Sequence, residues 1–228
     1  MKFAAVAPHG EIEGRLATAM EELGRRLPAG ETLVVVTPHN VHVDGHFAVV
    51  VSGRVGAHVV DRELALRLVD AIGDAGLPVV GVSYGGNDPA EAGLPSDWGT
   101  DVPLQWLPAE RIVVIAPARD RPLEEHVRLG EVLREAGVEA LLASADHGHA
   151  HAADGPYGYD PSAAAYDARF QELAATGDFL PLAELVAAAK ADSLWQLLVL
   201  QGATGGRPLH VLAYEAPTYY GMAVAIAT

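Results

Sequence analysis

Three histidines stand on alternate positions in the stretch ASADHGHAHAADGPYGYDP: His147, His149 and His151. Imidazole is both a metal ligand and the side chain that gains and loses a proton near neutrality. Two more histidines follow prolines at the ends of apolar runs, His9 in AVAPHG and His39 in VVVTPHNVH. A carboxylate, Glu215, closes HVLAYEAP. Proline stiffens the backbone just before each of those two imidazoles. Two neutral imidazoles and one anionic oxygen suit Fe(II), with three positions left on one face of an octahedron, and suit equally a catalytic Zn(II) with one open position. The chain has no cysteine, so any metal here is held by His, Asp, Glu or backbone oxygen. His42, His46, His58, His126 and His210 lie in no such context and receive no role.

These residues need a scaffold that gathers them. Short β-rich runs (KFAAVAP, ETLVVVTP, LPVVGVSY, RIVVIAPA, VEALLASA) alternate with helical patterns such as EGRLATAMEELGRRL, DRELALRLVDAIGDAG and LEEHVRLGEVLREAG. Strand–helix alternation with short links predicts an α/β fold: one domain over residues 1–228, with a mostly parallel or mixed central sheet flanked by helices. HFAVVVSGRVGAHVV reads as a hairpin around Ser52-Gly53-Arg54, LAELVAAAKA and SLWQLLVLQGA as helices, and Gly85–Thr100 as a loop. In open α/β sheets ligands bind beyond the carboxyl ends of the strands. His9, His39, the Asp146–His151 segment and Glu215 each follow a different strand, so the fold predicts that they meet on one edge.

A formal net charge of −15 sets the chain against nucleic acid and anionic membranes, which would repel it. No apolar run approaches the roughly 18–20 residues that span a bilayer. Charged residues also follow the start too closely for a signal peptide. The expectation is a cytoplasmic protein.

Taken in order, APHG, VVVTPHNVHVDGHFAV, DWGTDVPLQWL, ASADHGHAHAADGPYGYDPSAAAYD and YEAPTYYGMAVA resemble the class III extradiol ring-cleaving dioxygenases. That superfamily includes the protocatechuate, gallate and DOPA ring-opening catalytic subunits, and the Memo-type proteins share its fold. The resemblance implies Fe(II) held by His9, His39 and Glu215, a small aromatic substrate of catechol or aminophenol type, O2 as co-substrate, and a homodimer. Laid over ASADHGH, the family pattern G-S-G-D-x-S-H puts the acid–base histidine on His149, with His147 and His151 as neighbours that tune it or touch substrate. Tyr157 and Tyr159 fall on a pocket-wall loop as substrate contacts. Many relatives carry a proton-donating histidine where DWGTDVPL has Trp98, and an indole relays no proton near neutral pH. Two other readings use the same residues: a Zn(II) hydrolase with His149 as base, and a Memo-like metal- or peptide-binding protein without turnover.

Overall fold

The structure, a computed structural model, describes all residues 1–228. Its strands are β1 (Phe3–Ala7), β2 (Leu33–Val36), β3 (Phe47–Val50), β4 (Arg54–Val55), β5 (His58–Val59), β6 (Val79–Val82), β7 (Gly93–Leu94), β8 (Ile112–Ala116), β9 (Ala140–Ser144), β10 (Leu209–Glu215) and β11 (Met222–Ala227). The helices are α1 (Gly14–Arg26), α2 (Arg62–Asp74), α3 (Trp98–Leu104), α4 (Leu123–Glu135), α5 (Pro161–Ala174), α6 (Val186–Ala189) and α7 (Leu194–Thr204).

Eight strands form one sheet in the order β10-β11-β1-β9-β2-β8-β3-β6. The middle run β1-β9-β2-β8 is parallel. Its sequences FAAVA, ALLAS, LVVV and IVVIA are buried at every position. A strand covered on both faces needs an unbroken apolar run rather than alternation, and these supply it. The flanks are mixed: β11 runs antiparallel to β1 and to β10, and β3 antiparallel to β8. The predicted α/β class with a mixed central sheet is the observed one.

Two local expectations differ. Residues 47–60 do not fold as a hairpin: β3 enters the main sheet, whereas β4 pairs with β5 and with β7 in a separate three-stranded sheet. The chain leaves the main sheet at Gly53, whose N–H donates to the carbonyls of Pro89 and Ala92. A Cβ there would overlap the carbonyl oxygen of Ala90, so glycine permits the loop to take the bond a hairpin partner would have made. The segment read as the helix LAELVAAAKA is a 3-10 turn (Leu180–Glu184) followed by the single turn α6. Lys190, at φ 56°, stops it.

Helix α7 is apolar on every side because it is wrapped, lying over β9 and β1 with α4 across it. The contact is backbone to backbone. A Cβ on Gly130 would overlap the carbonyl of Val199, and one on Gly202 the carbonyl of Val127. Gly202→Ala is therefore expected to destabilise by about 2 kcal/mol, the overpacking penalty exceeding the helix-propensity gain of up to about 1 kcal/mol. Gly73→Ala, on α2 with only Val79 Cγ1 at 3.8 Å from the added carbon, should show that gain instead. Urea midpoints of the two variants check the pair.

Candidate metal centre

His9 and His39 follow β1 and β2, and β9 is the strand between those two. The loop after β9 delivers Asp146, and α7, packed over β9, is preceded by Asp192. Both carboxylates thus arrive between the two imidazoles. His9 Nε2 lies 3.0 Å from His39 Nε2 and 3.4 Å from Asp192 Oδ2. His39 Nε2 lies 3.5 Å from the same oxygen. Bonds of about 2.0–2.2 Å to one cation put neighbouring ligands about 2.9 Å apart in an octahedron and about 3.4 Å in a tetrahedron. The triangle therefore has the size of a coordination face, and the donor set, two imidazoles and a carboxylate, fits either Fe(II) or Zn(II).

Each ligand is oriented by a second contact, as metal-binding side chains usually are. His9 Nδ1 is 3.1 Å from Ser144 Oγ, and its backbone N–H donates to Asp146 Oδ1 at 3.1 Å. The N–H of Asp146 donates to Asp192 Oδ1 at 3.2 Å. Asp97 holds the His39 loop: it accepts from Thr37 Oγ1 (2.9 Å) and Asn40 Nδ2 (2.7 Å) while capping α3 through the N–H of Thr100. Arg119 spans the two ligand segments, with Nη2 3.5 Å from the carbonyl of Pro38 and its guanidinium over the ring of Trp195.

The charges of the cluster act strongly on one another. Burial pulls the His9 pKa down, but the carboxylates of Asp146 and Asp192 outweigh it and raise it to about 9. Burial, then the neighbouring charge on His9, lowers His39 to about 4. Burial raises Asp146 to about 6, opposed by His9 and assisted by Asp192. Without metal, a proton on His9 takes the cation's place between two buried acids.

Beside the triangle opens a cavity of about 300 Å³. His9, His39 and Asp146 form its floor, and His149, Trp98 and Tyr157 lie on its walls. His149 has its Nδ1 2.7 Å from the carbonyl of His147. A carbonyl only accepts, so Nδ1 carries the hydrogen and Nε2 keeps a free lone pair. The ring stacks on Tyr220 at 5.6 Å. Tyr220 in turn covers Gly10, where a Cβ would collide with the phenol ring. The His-rich loop is held from below by Asp167, which accepts from the N–H of Gly148 (2.7 Å), His151 Nε2 (2.8 Å) and the Tyr214 hydroxyl (2.7 Å).

Three expectations are corrected. Glu215 does not join His9 and His39. It ends β10 on the predicted edge, but β10 lies two strands from β1 and four from β2, about 10 and 19 Å at the usual strand spacing. Its carboxylate pairs with Arg15 at 2.8 Å and lines a different cavity with Glu11 and Glu13. Asp192 stands in its place. His147 makes no wall: it is fully buried, with Nδ1 3.2 Å from Ser193 Oγ, its ring 4.1 Å from that of Phe170, and burial lowering its pKa to about 4. Tyr159 points to solvent and bridges to His151 outside the cavity. The aromatic walls that motif reading missed are Tyr219 and Tyr220, in the β10–β11 turn. Their signal was the Tyr-Tyr-Gly run itself, which lies beside strand ends once β11 is placed next to β1.

No family model matches this chain, and no curated protein does. The solved structure of an uncharacterized protein, JW3007 from Escherichia coli K12, is similar over the whole of both chains, with a TM-score of 0.73 at 18% identity. A likeness at that identity carries the fold and nothing about chemistry. No helix is long and apolar enough to cross a membrane.

Proposed function

We propose that this protein is a non-haem Fe(II) extradiol dioxygenase that opens a catechol- or aminophenol-type ring with O2. The observation that carries the reading is the facial triangle of His9, His39 and Asp192 with the free Nε2 of His149 on the wall of the same cavity. It joins the motif resemblance, with Asp192 rather than Glu215 as the anionic ligand.

His9, His39 and Asp192 would hold the iron, which supplies chelation of adjacent ring oxygens and activation of O2. Everything else falls to the chain. His149 takes the proton of the second hydroxyl as the ring binds, and returns a proton when the ring opens. Imidazole is the side chain suited to both accepting and returning a proton near neutrality. Tyr220, stacked on His149, fixes the plane from which that proton moves. Trp98, edge-on to His39 at 5.5 Å, closes one side. It cannot donate the second proton that a histidine donates in many relatives, so both transfers fall to His149.

Reconstitution with Fe(II) without oxygen, then exposure of a catechol panel to air, should give a yellow ring-opened product with at least one member. A chain that binds Fe(II) stoichiometrically and opens none of the panel contradicts the reading. A Zn(II) hydrolase is favoured by one observation of its own: Asp146, a second buried carboxylate, lies 3.4 Å from His9 Nε2 and would serve as the proton acceptor for a water that a bound Zn(II) would activate. Metal analysis of protein purified without added metal separates the two.

A further inference from the structure

The walls of the cavity carry a preference that the ligand set does not. Tyr219 and Tyr220 meet edge to face at 4.8 Å, and Tyr157 stands 6.4 Å from Tyr219. Tyr157 and Trp98 remain 56% and 64% exposed at the opening, large rings turned toward whatever enters rather than packed away. No lysine or arginine lines the cavity. Two arginines that reach neighbouring segments are engaged elsewhere: Arg119 with Pro38 and Trp195, and Arg15 with Glu215 in the other cavity. The carboxylate on the cavity floor is that of Asp146, and the Tyr220 hydroxyl accepts from the backbone N–H of Glu11 at 3.3 Å.

Resting on the ring-opening reading, we propose that this cavity selects aromatic diols whose side chain ends in an ammonium, and discriminates against those whose side chain ends in a carboxylate. The faces of tyrosine and tryptophan attract a desolvated ammonium. A carboxylate would meet the same π faces and Asp146 with no lysine or arginine to pair its charge, so part of its hydration would be lost without an ionic partner. The positive charge of a metal held by two imidazoles and one carboxylate is spent on the ring oxygens, so it does not rescue a carboxylate several bonds away.

The test uses Zn(II)-loaded protein, which binds diols without turnover, and titrates dopamine, 4-methylcatechol and 3,4-dihydroxyphenylacetate by calorimetry. Dopamine is expected to bind at least about fivefold tighter than 4-methylcatechol, and dihydroxyphenylacetate more weakly than either. Tyr157→Leu, a change at an exposed ring that leaves folding intact, should shrink the dopamine advantage to about twofold. Equal or tighter binding of dihydroxyphenylacetate overturns the proposal. Failure of 4-methylcatechol to bind sinks the ring-opening reading instead. The selectivity is then still decided on metal-free protein, by saturation-transfer NMR with phenethylammonium and phenylacetate. Preference for the ammonium supports it, and no preference overturns it.

Discussion

Asp192→Ala is expected to weaken Zn(II) or Fe(II) binding by at least about 100-fold, while Glu215→Ala leaves it within about twofold. Asp192 supplies the anionic oxygen of the triangle and, through Oδ1, the acceptor for the N–H of Asp146. Its loss removes a ligand charge and loosens the loop that supports His9. Asp192→Asn separates the two effects, since an amide keeps an oxygen to accept that hydrogen bond but carries no charge. It should fold like the parent and still bind metal poorly. Glu215 belongs to an ion pair with Arg15, whose side chain is largely exposed, and exposed pairs of this kind contribute about 1 kcal/mol or less. Chelator-competition titration of the three variants is the measurement. Loss of metal in Glu215→Ala with retention in Asp192→Ala would reverse the assignment.

The second large effect is on turnover. His149→Gln is expected to lower the rate of ring opening by about 10²–10⁴-fold, the usual contribution of a positioned acid–base group. Affinity of the Zn(II)-loaded variant for 4-methylcatechol should fall far less. The difference follows from what holds the imidazole. Nδ1 is committed to the carbonyl of His147, and that segment is itself pinned by the N–H of His147 on Gly221 and that of His149 on Ala189. The only nitrogen left to work is Nε2. Glutamine offers similar bulk and a hydrogen bond but no exchangeable lone pair near neutral pH. Single-turnover absorbance after rapid mixing with oxygenated buffer reads the step directly. A variant with parental turnover removes His149 from the mechanism.

The sequence made some of this site legible and concealed the rest for identifiable reasons. His9 and His39 could be found because parallel strands announce themselves as unbroken apolar runs, and the residue after each run must lie on the sheet edge. The same rule misplaced Glu215. The edge was right, but strand order is not written in local sequence, and an antiparallel β11 inserted between β1 and β10 carried the glutamate away. Asp192 was hidden by resemblance to something ordinary: an acidic residue just before the apolar run LWQLLVLQGAT reads as a helix cap. Its side chain caps nothing and turns to the imidazoles instead. The alternation His147, His149, His151 sent successive rings into different surroundings: the core against Phe170, the cavity wall, and the carboxylate of Asp167. Equal spacing on paper put one ring of the three on the cavity.

Strand β1 has as its neighbours only β9 and β11, both from the last two-fifths of the polypeptide. During synthesis the first strand must therefore wait, unpaired, until most of its successors have left the ribosome. Contacts between distant segments of this kind slow folding, because a long loop has to close before anything is gained. His9 and His39 emerge early yet have no fixed geometry until Asp192 follows and α7 docks. A metal held by these three side chains would therefore be acquired by the finished protein and not by the nascent chain.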